Sequence, residues 1–215
     1  MATLTEGQHA GEFMVSEGNG NISRETITLI SGQDLSAGAV LGQITKAGTA
    51  TSAADAGNTG DGAMGAVTVG AGAVVGDYVL TVVAAAANAG AFEVEDPAGV
   101  NVGTGDVAAA FSAGGLGFTL ADGATDFAVG DKFVITVTAG SDKYKQYNPA
   151  NVDGSEVAVA VLYDNVDASL ADVNCVAIAR DAEVVAASLQ WFVGATADQI
   201  IAGKAELAAQ KIIAR

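Results

Sequence analysis

Few residues of this 215-residue chain could carry out catalysis, and they do not cluster in the sequence. The one histidine, His9, lies in an amino-terminal segment with few large apolar groups, where we expect nothing to orient it as a base or a ligand. The one cysteine, Cys175, lies in an apolar stretch, which favours a small buried side chain over a reactive thiol. Serine-histidine and cysteine-histidine catalysis are therefore not predicted, and we expect no enzymatic activity.

Oxygen donors that suit a hard cation occur together in the segment DAGNTGDG, as Asp55, Asn58 and Asp61. The spacing does not match an EF-hand, and no glutamate follows at the distance of its bidentate ligand. Aspartate, asparagine and glycine are also the residues that form turns. The sequence therefore predicts a turn here, with no metal ion, and no cofactor is predicted elsewhere.

The chain is strongly acidic, with a formal net charge of −16 and no lysine or arginine between residues 47 and 131. Nucleic-acid affinity depends on lysine and arginine that displace counterions, so the charge argues against nucleic-acid binding. The apolar runs are short, far below the roughly 18 uninterrupted residues that a membrane span needs. The start lacks the basic and apolar regions of a secretory signal, and we expect synthesis in the cytoplasm.

Apolar residues alternate with polar ones through the middle of the chain, which predicts a small β-sandwich over residues 47–142. The inward-facing sets are Tyr78, Leu80 and Val82; Phe92 and Val94; Leu116, Phe118 and Leu120; and Phe133, Ile135 and Val137. Glu93 and Glu95 are expected to face solvent. Residues 48–61 have no large apolar side chain and are predicted to be a linker.

The flanking segments predict further strands and one helix. Residues 11–30 are predicted to form a β-hairpin, because Phe13 and Val15 alternate and a GNGN turn follows. Near the carboxyl end, Thr196 and Gln199 have the spacing of a capping box. The helix that they start is predicted to bury the stripe Ile200, Ile201, Ala205, Ala208 and Ile212.

With the middle segment set aside, residues 11–46 and 143–215 read as one continuous domain. Its most specific pieces are GEFMVSE…SRE, LSAGAVLG, DGSEVAVAVLYD and ARDAEV. Together they resemble the head decoration proteins of tailed bacteriophages, the family of the phage lambda head protein D. The resemblance implies a mainly β chain, in which a discontinuous β-clip-type domain with a short carboxy-terminal helix is interrupted by a small inserted domain. The insertion, residues 47–142, resembles the Ig-like β modules found on phage structural proteins.

The resemblance implies that the chain is a capsid decoration protein, also called a cement protein. Such proteins bind as homotrimers to the major capsid protein, on the outer surface of the expanded head, at three-fold and quasi-three-fold positions. They stabilise the head against the pressure of the packaged DNA. The expected location is therefore the outer surface of the virion capsid, after synthesis in the host cytoplasm.

The resemblance also assigns candidate contact residues. Residues 1–14 correspond to the arm that reaches onto the capsid surface in this family. The candidates within this arm and directly after it are Thr3, Leu4, Thr5, Phe13 and Val15. The alternation at Phe13 and Val15 would suit addition of a strand to the edge of a capsid sheet.

Four aromatic residues are candidates for the core or for the trimer interface, namely Trp191, Phe192, Tyr144 and Tyr147. Trp191 matches the tryptophan that precedes the carboxy-terminal helical region in the family. Large aromatic side chains contribute strongly both to cores and to interfaces, so the residue types alone leave the two roles open.

A different class of function, an adhesion or carbohydrate-binding module on the virion surface, would use the inserted domain for recognition. A sugar platform needs exposed aromatic rings. The aromatic residues available there are Tyr78, Phe92, Phe111, Phe118, Phe127 and Phe133. Several of them alternate into the predicted core, which disfavours this alternative.

Overall fold

The computed structural model describes residues 6–19 and 22–215. The chain is mainly β, as predicted, with a short α-helix near the carboxyl terminus. It divides into two compact units. Unit 1 comprises Met1–Thr45 and Asp142–Arg215, and unit 2 comprises Lys46–Ser141.

The strands follow one another along the chain with short connections. The first part of unit 1 contains β1 (Met14–Glu17), β2 (Arg24–Leu29), β3 (Gln33–Leu35) and β4 (Val40–Gln43). Unit 2 contains β5 (Lys46–Ala54), β6 (Ala63–Met64), β7 (Thr68–Val69), β8 (Gly76–Ala86), β9 (Ala89–Glu95), β10 (Asn101–Asp106), β11 (Ala110–Ala113), β12 (Leu116–Ala121) and β13 (Lys132–Ala139). The second part of unit 1 contains β14 (Tyr144–Gln146), β15 (Ala160–Leu162), β16 (Val166–Ala168), β17 (Val173–Ile178), β18 (Ala182–Val184), helix α1 (Ala197–Ala209) and β19 (Ile212–Ala214).

Unit 1 is built around a closed five-stranded barrel in the order β14-β2-β17-β15-β4. Two smaller sheets accompany it, β1-β18-β19 and β16-β3. Its buried apolar residues form two clusters, one around Phe13, Tyr147 and Leu207 and the other around Leu29, Leu41 and Leu162. Both clusters combine residues from the two separate parts of the chain, so unit 1 is completed only when residues 142–215 are present.

The predicted hairpin over residues 11–30 is wrong. Strand β1 pairs with β18, matching Met14 with Val184, and β2 pairs antiparallel with β17. Both segments form strands, as their alternating apolar and polar residues predict. Each of them pairs with a strand more than 140 residues away in the sequence. Local turn residues indicate where a strand ends, whereas the choice of partner depends on burial of the whole face.

Strands β4 and β14 are antiparallel neighbours, although all of unit 2 lies between them in the sequence. The Ile44 N–H donates to the Lys143 carbonyl at 2.8 Å, and the Asp142 N–H donates to the Ile44 carbonyl at 2.9 Å. Asp142 adopts the left-handed conformation, with φ of 57°. This two-against-one pattern is that of a G1 β-bulge, which normally accompanies a short hairpin loop.

Unit 2 forms a nine-stranded sheet along the path β10-β9-β8-β13-β5-β7-β12-β11, with β6 also paired to β12. The predicted linker over residues 48–61 is wrong in its first half, because β5 extends to Ala54 and pairs with β13. Small residues serve as a strand here because the long partner β13 supplies the ladder of hydrogen bonds and the large side chains of the buried face.

The alternation in unit 2 is confirmed. The predicted inward-facing residues of β8, β9, β12 and β13 are all buried and form one core. Three phenylalanine rings pack together within this core. The ring centroids of Phe111 and Phe118 are 4.8 Å apart, and the ring of Phe92 contacts both. Unit 2 therefore has a complete core of its own, although it comprises fewer than half of the residues.

A buried carboxylate organises the loops of unit 2. Asp131 is only 4% exposed. One of its oxygens accepts the Thr59 N–H at 2.9 Å, and the other accepts the N–H groups of Gly60 at 2.9 Å and Ala128 at 3.0 Å. Burial alone would raise the pKa of this carboxyl, but the three hydrogen bonds outweigh it and hold the pKa below the ordinary 3.8.

Helix α1 begins with the predicted capping box. The Thr196 hydroxyl accepts the Gln199 N–H, and the Gln199 side chain accepts the Thr196 N–H at 2.9 Å. The predicted buried stripe is wrong for the helix itself, because Ile201 is exposed and Gly203 and Leu207 are its buried residues. Ile212 is buried as predicted, but it lies in β19. Within the described residues, no helix is long and apolar enough to cross a membrane.

Candidate functional site

An aromatic cluster lies where helix α1 packs on the barrel. Tyr147 is 1% exposed, and its ring contacts those of Trp191 and Phe192 edge-on, with centroids 5.9 and 6.1 Å apart. Trp191 and Phe192 are partly exposed. Burial and the neighbouring Glu206 carboxylate both raise the pKa of Tyr147. Of the four predicted aromatic candidates, Tyr147 is thus a core residue, while Trp191 and Phe192 border both core and surface.

Tyr144 does not join this cluster. It lies on β14, pairs in register with Leu29 and Gln43, and packs against the second cluster of unit 1. Its side chain is partly buried, and burial together with the charge of Asp142 raises its pKa. Tyr144 and Tyr147 are three residues apart, and residues at that spacing in extended backbone point to opposite faces.

A glycine allows the helix to approach the tryptophan closely. A Cβ atom at Gly203 would lie 2.5 Å from Cζ3 of Trp191 and 3.2 Å from Cε1 of Tyr147. The helix is also tied to the barrel by Glu206, whose carboxylate accepts the Ala158 N–H at 2.7 Å. The position of Trp191 is therefore fixed by the helix on one side and by Tyr147 on the other.

Replacing Gly203 with alanine is expected to lower the free energy of unfolding of unit 1 by about 1–3 kcal/mol, because a methyl group would enter occupied space. Helix propensity alone would give the opposite sign, since alanine favours a helix interior by about 1 kcal/mol over glycine. Urea unfolding followed by Trp191 fluorescence measures the change. Ala202→Gly, at an exposed position of the same helix, is the matched control for propensity. A stabilised Gly203→Ala variant would contradict the close packing.

The amino-terminal candidates separate into three groups. Thr3, Leu4 and Thr5 lie outside the described residues. Phe13 is completely buried in the first core cluster, at 0% exposure, so its ring cannot contact a capsid. Val15, by contrast, is 55% exposed. The alternation of Phe13 and Val15 was read correctly, but the large ring faces the interior and the small side chain faces outward.

The segment directly before β1 is attached to unit 1 and does not form a separate arm. The Gly11 N–H donates to the Tyr163 carbonyl at 2.9 Å. The Gln8 carbonyl accepts from the Asn165 side chain at 3.1 Å, and its side-chain oxygen accepts from Gln190 at 3.3 Å. Strand β1 itself pairs only on one side, with β18, which leaves its other edge open within the described sheet.

The residues that could have indicated catalysis or metal binding form hydrogen bonds or ion pairs within the protein, or are partly buried. The ring of His9 lies at the surface, 3.1 Å from the Glu6 carboxylate. Asp55 accepts the Gly57 N–H within a local turn, whereas Asn58 and Asp61 accept the N–H groups of Lys132 and Thr125 from distant parts of unit 2. Burial raises the pKa of the Cys175 thiol. Among the described residues, no group of three potential ligands could hold a metal ion.

A recess beside the aromatic cluster has a volume of about 240 Å³ and was not predicted. It is lined by Gln33, Lys145, Gln146, Asn148, Asn151 and Phe192. The amide-rich segment KQYNPAN, which directly follows the return of the chain to unit 1, is the sequence signal that could have indicated it. The side chains of glutamine and asparagine donate and accept hydrogen bonds without carrying charge. Beside the partly exposed ring of Phe192, they suit the recognition of another protein surface.

Unit 2 offers no aromatic platform. All six of its aromatic residues are buried, with at most 5% of any of them exposed. A sugar ring has nothing to stack on in this unit. Unit 2 therefore lacks the exposed aromatic rings that the carbohydrate-binding alternative requires.

Within the described residues, the chain is a β-rich protein with an open strand edge at β1 and a recess lined mainly by amide side chains. The sequence matches the family model described as bacteriophage lambda head decoration protein D in two overlapping segments, residues 3–93 and 63–212. The chain belongs to this family of phage head decoration proteins. The family is one of structural proteins of the phage head.

Other comparisons add little. No significant match was found among curated proteins. Among solved structures, FlgL of Xanthomonas campestris is 25% identical over 49% of this chain, with a TM-score of 0.34. The flagellar hook junction protein FlgK from Burkholderia pseudomallei is 23% identical over 61% of this chain, with a TM-score of 0.35. The chain spans only 34% and 23% of the length of these two proteins, and the TM-scores are too low to assign a shared fold.

Proposed function

We propose that this protein is a cement protein that binds as homotrimers to the major capsid protein on the outer surface of the expanded head. It occupies three-fold and quasi-three-fold positions and stabilises the shell against internal DNA pressure. The observation that carries this proposal is the match to the decoration family, which extends over almost the whole chain. The protein is made in the host cytoplasm and acts by binding, without catalysis.

We also propose that residues 47–142 are an Ig-like domain inserted into a decoration domain formed by residues 11–46 and 143–215. The hydrogen-bonded ends at Ile44 and Asp142 support this interpretation, because antiparallel neighbours such as β4 and β14 can be joined by as few as two residues. The lack of any lysine or arginine between residues 47 and 131 suits a domain that faces solvent, since the acidic side chains gain hydration there.

Capsid contact is assigned to the amino-terminal residues that precede Gln8, including Thr3, Leu4 and Thr5, and to the open edge of β1 at Val15. Each such contact is small, but three of them on one trimer act together through effective concentration. Because the trimer binds the assembled shell and not the separated subunits, its binding stabilises the shell by mass action.

Co-sedimentation with expanded shells stripped of their decoration protein tests this function. We expect saturable binding of the full chain in multiples of three. Removal of residues 1–5, and separately Val15→Glu, should each weaken binding about tenfold or more, since every trimer loses three contacts. Val176→Glu, which adds the same charge at an exposed valine of β17, is the control and should bind normally.

Two results would contradict the proposal. A chain that fails to sediment with any expanded shell does not decorate heads. Full binding by both arm variants would show that the shell is contacted through another surface of the protein.

A further inference from the structure

Val193 is an apolar side chain at the surface of unit 1. It is 100% exposed, although it directly follows the packed aromatic residues Trp191 and Phe192. The Ala195 N–H donates to the Phe192 carbonyl at 3.1 Å, and Gly194 completes the turn with φ of 87°. Helix α1 begins immediately afterwards at its capping box. Val193 is therefore an apolar knob on a hydrogen-bonded turn, and its β-branched side chain has only one rotatable bond to order on contact.

The recess lined by Phe192 lies beside this knob, and its surface carries no unpaired charge. Its one charged lining residue, Lys145, donates to the Asp153 carboxylate at 2.7 Å. The Ser155 hydroxyl also donates to Asp153, at 2.5 Å. Burial alone would raise the pKa of Asp153, but these hydrogen bonds outweigh it and hold the pKa below 3.8. The ion pair therefore persists at neutral pH, and the recess presents mainly amide groups.

The charge of the chain favours a second copy as the occupant of this surface. Each copy carries a formal charge of −16, so two copies repel wherever acidic faces meet. None of the six residues that line the recess is acidic, and neither is Val193. A surface without acidic lining residues, with a partly exposed ring and amide groups, allows identical acidic chains to approach.

On identical copies, a knob beside a recess fits either reciprocally about a two-fold axis or head to tail, and only the head-to-tail contact can join three copies. Such heterologous contacts close into a ring when the rotation between neighbours permits it. We propose that the knob of Val193 on one copy seats in the amide-lined recess beside Phe192 on the next copy, and that this contact holds the trimer together. This inference rests on the proposed function, for which it names the self-association surface.

Sedimentation equilibrium of the full chain, with and without Val193→Glu, tests the contact. Three introduced carboxylates would enter the contacts of one trimer, and we expect the concentration for half-association to rise about a hundredfold or more. Leu170→Glu is the matched control, because Leu170 is also almost fully exposed, at 96%, and receives the same charge. Val193→Ser, which removes the apolar contact without adding charge, should weaken association in the same direction but less strongly.

The outcomes separate this inference from the proposed function. If the wild-type chain is monomeric both in solution and when bound to shells, the proposed trimer and the proposed contact at Val193 are both wrong. A Val193→Glu variant that is trimeric overturns the contact and leaves the trimer standing. Dissociation by Leu170→Glu alone would place the interface elsewhere. A trimeric Val193→Glu variant that no longer binds shells would assign the surface to the capsid protein and also overturn the contact.

Discussion

Replacing Phe13 with alanine is expected to lower the free energy of unfolding of unit 1 by about 3–5 kcal/mol, the cost of removing a fully buried aromatic ring. The ring lies among apolar residues from both parts of unit 1, so the cavity would open at the junction of β1, the barrel and helix α1. The backbone of this residue also contributes, since its carbonyl accepts the Val185 N–H at 2.7 Å. That hydrogen bond remains in the variant, which isolates the effect of the side chain.

Trp191 fluorescence during urea unfolding measures this change in unit 1, because the chain contains only this tryptophan. Val15→Ala, on the adjacent exposed position, is the control and should alter stability by less than about 0.5 kcal/mol. An unchanged midpoint for Phe13→Ala would show that the ring is not part of the core. The result also explains why the arm is tested by removing only residues 1–5. A longer truncation that included Phe13 would destabilise unit 1 as well as remove the arm.

Replacing Asp131 with asparagine is expected to destabilise unit 2 by about 3 kcal/mol, since hydrogen bonds to a charged group contribute roughly 1.5–3 kcal/mol each. Asparagine has the same shape but keeps one acceptor oxygen. With its oxygen turned toward the N–H groups of Gly60 and Ala128, which now share one carboxylate oxygen, its amide nitrogen would face the N–H of Thr59. That buried donor would lack an acceptor, and the two remaining hydrogen bonds would lose their charged partner.

The same carboxylate makes stability dependent on pH. The folded pKa of Asp131 lies below the ordinary 3.8, so its contribution is fully present above that value and is lost as the pH falls through the folded pKa. Unfolding followed by far-UV circular dichroism between pH 7 and pH 2 should therefore show a steeper loss for the wild type than for Asp131→Asn. Equal slopes would show that this carboxylate is not preferentially ionised in the folded state. Asp77→Asn, at an exposed position of β8, is the control.

The sequence predicted what short-range physical rules determine. Period-two alternation in unit 2 identified the buried faces of β8, β9, β12 and β13, because each strand there has one face in the core and one in solvent. The capping box at Thr196 was predictable for a similar reason, since both hydrogen bonds join residues three apart.

Longer-range choices could not be read from the sequence. The GNGN segment suggested a hairpin, but β1 and β2 each pair with strands from the distant part of unit 1. The small residues of β5 carry no apolar pattern, and their strand is specified by β13. Gly203 was invisible as a packing position because its role depends on Trp191, which the chain brings against it only in three dimensions.

Candidate site residues were predicted in type more reliably than in position. The four aromatic candidates were expected in the core or at a trimer interface; burial places Tyr147 in the core and Tyr144 beside another cluster, while a role in a trimer interface stays a prediction. The amide-lined recess was missed because the segment KQYNPAN supplies only part of its lining, and Gln33 and Phe192 join it from distant parts of the sequence.

The G1 bulge that joins β4 to β14 makes the barrel insensitive to what lies between these strands. Its two hydrogen bonds fix the ends of the connection at Ile44 and Asp142, whatever folded segment follows. Because the entropy of closing a loop grows only slowly with its length, a few residues or an entire domain can occupy the same position at similar cost. The connection between β4 and β14 can therefore hold segments of very different length while the barrel keeps its strand pairing.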